Sequence, residues 1–182
     1  NINPILIPHL KKACQLSDAK SALIDSAVYI GYFLAAIPAG WFMHKFGYKK
    51  GILFGLMLYA IGALLFIPAA GTRSYVFFLV ALFIMASGAT FLETVANPYI
   101  TKLGDASTAA QRLNFAQSFN GVGAFIAPII GGLFILSGVE HSSQELQAMD
   151  TSVLNAYLQT EADTVKIPYL IMGLAVLLVI GV

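Results

Sequence analysis

Long apolar stretches, separated by short clusters of charged residues, are the dominant pattern of this chain. Four complete stretches occupy residues 22–43, 51–70, 75–100 and 113–137, and two shorter ones occupy residues 1–9 and 168–182. About 20 helical residues cross a hydrocarbon core of roughly 30 Å, so each complete stretch is long enough to span a membrane. We expect the two shorter stretches to be parts of a first and a sixth span, in a chain that is a fragment of a longer protein.

These spans are predicted to be α-helices, because in lipid only a helix satisfies every backbone polar group within its own segment. Composition supports this interpretation: 58% of the 182 residues are hydrophobic and only 10% are charged, against about 25% charged residues in soluble domains. The predicted fold class is therefore an all-α polytopic helix bundle in a lipid bilayer. The net charge of +1, with no basic stripe interleaved with aromatic residues, argues against nucleic acid as a partner.

Two features of the spans bear on how the helices are arranged. Residues 31–42 (GYFLAAIPAGWF) and 123–134 (GAFIAPIIGGLF) are identical at six of twelve positions, at an offset of 92. This similarity predicts a three-helix unit that occurs twice, the second copy inverted in the membrane, as is typical of secondary transporters. Gly51 and Gly55 have a spacing that lets two helix backbones approach closely, although glycine is also simply common in membrane helices.

One carboxylate is predicted to lie deep in the membrane. Glu93 is nine residues from Lys102, the nearest loop charge, which is roughly 13 Å at 1.5 Å per residue. A charged side chain at such depth costs at least a few kcal/mol and marks a functional site by default. We therefore expect Glu93 to face a polar cavity. The alternative is a protonated side chain that is hydrogen-bonded to a neighbouring helix.

Four amide side chains are expected at similar depth. Asn97 follows Glu93 by four residues, on the same helical face, and the next span carries Asn114, Gln117 and Asn120 at intervals of three. Amides both donate and accept hydrogen bonds, which suits the hydroxyl groups of a neutral polyol or sugar. The alternative is that the amides hold neighbouring helices together by hydrogen bonds.

Nothing in the sequence indicates an enzyme. There is no glycine-rich phosphate loop, Cys14 is the single cysteine, and the loop histidines His44 and His141 are isolated, unlike the ligands of a metal site. We therefore expect no catalytic residues, no metal and no bound cofactor.

Several strings of residues resemble a known family. The string GWFMHKFGYKK at residues 40–50 resembles the loop between the second and third helices of the major facilitator superfamily, with departures at His44 and Tyr48. The strings LETVANP at residues 92–98, RLNFAQSFN at 112–120 and NINPILIP at 1–8 resemble, more narrowly, the fucose permease group of sugar:proton symporters in that superfamily.

The resemblance implies a twelve-helix carrier of the bacterial inner membrane that works by alternating access. Residues 1–182 would be most of its amino-terminal six-helix half, partnered by the carboxy-terminal half of the same carrier. The implied function is symport of a hexose or 6-deoxyhexose with a proton as the coupling ion. The resemblance assigns proton coupling to Glu93 and places Gln117, Asn120 and Asn1 at the sugar cavity. Pro4 stands where the fucose permeases carry an aspartate, so the alternative sugars to fucose are glucose and galactose.

Two other functions stay open at this point. A facilitative carrier or exporter of the same fold would need no titrating group, and Glu93 would then be structural. A non-transporting membrane receptor or assembly subunit would use the amides only to hold its helices together.

Overall fold

The computed structural model describes residues 3–135, 141 and 143–181, and the regular structure in these residues is helical throughout. Helix α1 spans Asn3–Ala13, α2 spans Asp18–Phe46, α3 spans Tyr48–Thr72, α4 spans Tyr75–Lys102 and α5 spans Ala109–Ile135. They are followed by α6 (Ser143–Ala148), α7 (Thr151–Asp163) and α8 (Lys166–Gly181), and a 3₁₀ turn at Ala106–Thr108 precedes α5. The all-α fold class is confirmed.

The long helices coincide with the apolar stretches of the sequence. In the described part of the chain, four helical segments are long and apolar enough to cross a membrane: Asp18–Thr72, which contains both α2 and α3, Tyr75–Lys102, Ala106–Gly132 and Thr151–Gly181. Helix α1, by contrast, has 11 residues. The end of the fourth predicted stretch, from residue 136 onward, lies outside the described residues.

The long helices begin and end at turns with defined caps. Gly47 separates α2 from α3 with a φ of 82°, a left-handed backbone conformation that glycine adopts at no steric cost. Ser17 and Ser74 are the N-caps of α2 and α4, and their side chains accept hydrogen bonds from the backbone N–H groups of Lys20 and Phe77. Such caps satisfy N–H groups that have no partner inside the helix.

Helices α3 and α4 are antiparallel and pack backbone to backbone. A Cβ atom added at Gly88 of α4 would lie 2.4 Å from the backbone nitrogen of Tyr59 on α3. A Cβ atom at Gly51 or Gly55 of α3 would lie 3.0 Å from a side chain of α4. The close approach that the spacing of Gly51 and Gly55 suggests is therefore confirmed.

The buried core lies between α1, α3, α4 and α8, while α2 and α5 present large apolar side chains outward. In the core, the rings of Phe66 and Tyr169 stack with their centroids 3.7 Å apart. Outward-facing apolar side chains of α2 and α5 include Phe33, Ile37, Phe115, Phe119 and Phe125. Surfaces of this kind are stable only in an apolar surrounding such as lipid or another packed helix.

Candidate functional site

Arg112 fixes how α5 lies on α4. Its Nε donates to the carbonyl of Ile100 at 3.2 Å and its Nη2 donates to the carbonyl of Thr101 at 2.9 Å. Its Nη1 donates to the carbonyl of Asp105 at 3.0 Å and to Thr108 Oγ1 at 2.5 Å. The end of α4 thus meets the beginning of α5, and the two helices are antiparallel.

Three of the predicted amides form one chain of hydrogen bonds across the two helices. Gln117 Nε2 on α5 donates to Asn97 Oδ1 on α4 at 2.9 Å. Asn120 Nδ2, one turn further along α5, donates to Gln117 Oε1 at 3.4 Å. Gln117 and Asn120 are exposed and Asn97 is half-buried. The chain therefore leaves polar atoms of the amides available to a solute.

Glu93 lies one helical turn before Asn97 and is exposed on α4. The hydroxyl of Tyr32, on α2, donates to Glu93 Oε1 at 3.5 Å. The half-buried ring of Tyr32 follows Gly31, where α2 comes so close to α4 that an added Cβ would lie 2.9 Å from the carbonyl oxygen of Phe83. Sequence reasoning did not assign Tyr32 to the site, because the residue falls in an apolar span with no periodic polar neighbour.

The two other predicted substrate residues are placed differently. Asn114 is exposed on α5, one turn before Gln117, and lies outside the chain of amide hydrogen bonds. Asn1 lies outside the described residues. The side chains that the structure brings together are therefore Asn97, Gln117 and Asn120, with Glu93 one turn away.

The polar groups of this face can exchange hydrogen bonds with a solute. Over residues 3–135, 141 and 143–181, no group of three or more His, Cys, Asp or Glu side chains is placed to hold a metal ion. The amides can exchange hydrogen bonds with hydroxyl groups. The carboxyl group of Glu93 lies within one turn of them.

The turn between α2 and α3 shows how Tyr48, one of the two departures from the superfamily pattern, is accommodated. The ring of Tyr48 packs against that of Tyr99 on α4, with centroids 5.3 Å apart. The Lys102 ammonium lies 5.3 Å from the Tyr48 ring centroid, within the range of a cation–π contact. Tyr48 therefore ties this turn to the end of α4.

The fold and this polar face define a multi-pass helical membrane protein with polar groups inside its spans. Residues 1–181 match the Major Facilitator Superfamily. The chain belongs to that superfamily, which confirms the resemblance found in the sequence.

Two curated relatives are transporters. The chain is 49% identical over 180 residues to the L-fucose-proton symporter of Escherichia coli (strain K12), an alignment that covers 98% of the chain and 41% of the relative. It is 44% identical over 174 residues to the glucose/galactose transporter of Brucella abortus biovar 1 (strain 9-941), covering 96% of the chain and 39% of the relative. The chain thus spans about two fifths of the length of these relatives.

A solved structure shows the same architecture. The crystal structure of a major facilitator superfamily transporter, FucP, in the outward conformation matches this chain with a TM-score of 0.85 at 49% identity. The match covers 99% of this chain and 44% of that one. The helix arrangement described above is therefore that of one part of a larger transporter fold.

Proposed function

We propose that this chain is most of the amino-terminal half of a carrier that moves a hexose or a 6-deoxyhexose together with a proton across the bacterial inner membrane. The observation that carries the proposal is the placement of Glu93 one turn from the chain of amides formed by Asn97, Gln117 and Asn120. The relatives support it, since one is named an L-fucose-proton symporter and another a glucose/galactose transporter.

The sugar would bind at the amide chain. A hydroxyl group that accepts from one amide and donates to the next can replace a hydrogen bond such as that between Gln117 and Asn97. A neutral sugar needs no countercharge there. The carboxy-terminal half of the carrier would close the opposite side of the cavity, because the polar face of α5 is exposed along its length.

Glu93 would be the coupling residue. In its ionised form it accepts the hydrogen bond from Tyr32, and protonation removes its charge. Two conformations that hydrate Glu93 differently bind this proton with different affinities, so proton binding shifts the population between them. Linkage then requires that a sugar which prefers one conformation also changes the affinity for the proton.

Uptake by the full-length carrier in proteoliposomes tests this function. With an inward proton gradient, labelled fucose, glucose or galactose should accumulate above its external concentration. Equilibration without accumulation would instead show a facilitative carrier, and absence of flux for each sugar would show a protein that does not transport them. Either result would overturn the proposal.

The substitution Glu93→Gln tests the coupling residue. Glutamine imitates the neutral side chain permanently, so we expect pH-driven accumulation to be abolished while exchange of external for internal sugar continues. Asp25→Asn, a change on α2 at a half-buried position, is the matched comparison and should retain accumulation. Undiminished accumulation by Glu93→Gln, or loss of accumulation in Asp25→Asn alone, would remove Glu93 from this role.

A further inference from the structure

A buried polar cluster joins the end of α1 to α7, far from Glu93. His9 on α1 is 4% exposed and Glu161 on α7 is 7% exposed. Lys12 Nζ, on α1, lies 3.4 Å from Glu161 Oε1. The cluster is near the turn between α3 and α4, because Cys14 just after α1 contacts the carbonyl of Arg73. Charged groups are buried at a cost unless they are paired and hydrogen-bonded.

The backbone of α7 determines which ring nitrogen of His9 carries a hydrogen. His9 Nε2 lies 2.6 Å from the carbonyl oxygen of Glu161 and 2.9 Å from Thr164 Oγ1. The Thr164 hydroxyl itself donates to that carbonyl at 2.8 Å, so its oxygen is free to accept. A carbonyl oxygen can only accept. Nε2 is therefore the donor.

The second ring nitrogen faces a carboxylate oxygen. His9 Nδ1 lies 3.3 Å from Glu161 Oε2. A neutral imidazole with its hydrogen on Nε2 has only a lone pair on Nδ1, and a lone pair that faces a carboxylate oxygen in a buried site is repelled. A proton between the two atoms turns this repulsion into a charge-assisted contact.

We propose that His9 and Glu161 form a proton-binding site that is separate from Glu93, with the proton held on His9 Nδ1. Lys12 places a positive charge beside Glu161 Oε1, while Glu161 Oε2 faces His9 Nδ1. The site does not depend on the proposed sugar transport, since it follows from the contacts of α1 with α7 alone.

Opposing charges make this proton exchangeable. Burial and the positive charge of Lys12 disfavour an imidazolium, whereas the carboxylate of Glu161 and the carbonyl at Nε2 favour it. The other titratable or charged groups around α7 are Tyr157, which faces Lys12 and His141, Glu145 beside His141, the pair Asp163 and Lys166, and Arg73, which donates to Asn155. We expect the site to take up its proton as the pH falls and to release it as the pH rises.

Loss of the proton has a structural consequence. Nδ1 and Oε2 then repel each other, and α7 loses one of its attachments to α1. Its attachment to the end of α3 is independent of this proton, because Gln159 Nε2 donates to the carbonyl of Ala70 at 3.1 Å. Deprotonation should therefore loosen the contact between α1 and α7 without releasing α7 altogether.

Nitrogen-15 NMR of labelled histidine in the full-length carrier, held in lipid nanodiscs, tests the site directly. The signals of His9 are those missing from His9→Asn. We expect a doubly protonated ring at the acid end of the titration and a ring with its hydrogen on Nε2 at the alkaline end. A ring that stays singly protonated from about pH 5 to 8 would overturn the proposal.

Two variants sharpen the result. Glu161→Gln removes the charge that holds the proton, so the titration midpoint of His9 should fall by at least about one pH unit. Lys12→Gln removes the opposing charge and should raise it, which keeps the test decisive if Glu161→Gln does not fold. His44→Asn, at an exposed position near the end of α2, is the control and should leave the midpoint unchanged. An unchanged midpoint in both test variants would contradict the assignment.

Hydrogen exchange measures the structural consequence. After correction for the intrinsic pH dependence of exchange, amides of α7 should be less protected above the titration midpoint of His9 than below it. The same difference should be absent in His9→Asn. Equal protection on both sides of the midpoint in the unmodified carrier would overturn the loosening of α7.

Discussion

Helix α4 has two contrasting faces. Toward α3 it presents Gly88 and packs backbone against backbone, with no space for a Cβ atom. Toward α5 it presents Asn97, and the contact is made by polar side chains. None of the most apolar part of the α5 segment is buried. One face of α4 therefore fixes the position of a neighbouring helix, and the other carries groups that can change partners.

The difference follows from what holds helices together in lipid. Apolar side chains gain little by leaving a lipid environment, so helices associate through close van der Waals packing and interhelical hydrogen bonds. Hydrogen bonds between membrane helices contribute about 0.6 kcal/mol on average. The α3–α4 contact should therefore dominate stability, while the amides between α4 and α5 can be given up to a sugar at small cost.

The substitution Gly88→Ala should have the largest effect on stability. The new Cβ atom would lie 2.4 Å from the backbone nitrogen of Tyr59, and a backbone atom cannot move aside as a flexible side chain can. Helices α3 and α4 would have to separate, at a cost at or above the ~1–3 kcal/mol that is typical of overpacked cores. The measurement is the thermal unfolding of the full-length carrier, followed by size-exclusion chromatography.

Gly121→Ala is the matched control for this prediction. Gly121 lies on α5, and a Cβ atom added there meets no atom within 4 Å. Its melting temperature should be that of the unmodified carrier. If Gly88→Ala and Gly121→Ala melt at the same temperature, the contrast between the two faces of α4 is wrong.

In contrast to Gly88→Ala, the substitution Gln117→Ala should weaken sugar binding and have little effect on thermal stability. It removes both hydrogen bonds of the amide chain, to Asn97 and from Asn120, so sugar affinity in counterflow should fall roughly tenfold, equivalent to about 1.4 kcal/mol. The melting temperature should change much less than in Gly88→Ala. Ser118→Ala, which removes only a hydrogen bond within α5, is the control. Full sugar affinity in Gln117→Ala would remove this residue from the proposed site.

Much of this contrast could be predicted from the sequence. Stretch length and the absence of charges predict the spans, since they follow from bilayer thickness. The spacing of Gly51 and Gly55 indicates close packing, and the interval of three between Gln117 and Asn120 places both on one face. These are local properties, which a single segment determines by itself.

Contacts between distant segments could not be predicted in this way. Tyr32 and Glu93 are 61 residues apart in the chain, and His9 and Glu161 are 152 apart. Neither pair shares a motif or a helical face. Which side chains meet depends on how α2 packs on α4 and on where α7 docks, and that is determined by packing over the whole bundle. The partner of a buried polar residue is therefore the information that the structure adds.

Substitutions in the exposed turn that leads from α4 into α5 should have the smallest effect on stability. Asp105 caps the 3₁₀ turn, and hydrogen bonds from the backbone N–H and the hydroxyl of Ser107 lower the pKa of its carboxyl group below the ordinary value of 3.8. Because the folded-state pKa is lowered, the stabilisation is fully present above pH 3.8 and is lost as the pH falls through the folded-state value.

Asp105→Asn and Asp105→Ala separate the charge of this cap from its geometry. Asparagine keeps an acceptor for the Ser107 N–H, whereas alanine removes it. At neutral pH we expect the melting temperature to decrease slightly from the unmodified carrier to the asparagine variant and then to the alanine variant, because a charge-assisted hydrogen bond is stronger than a neutral one. At about pH 3, below the ordinary carboxyl pKa, the unmodified carrier should approach the asparagine variant. If the difference in melting temperature between these two proteins grows as the pH falls, the Asp105 charge does not have this role. If either Asp105 variant lowers the melting temperature as much as Gly88→Ala does, this exposed turn, and not the glycine face, holds α4 in place.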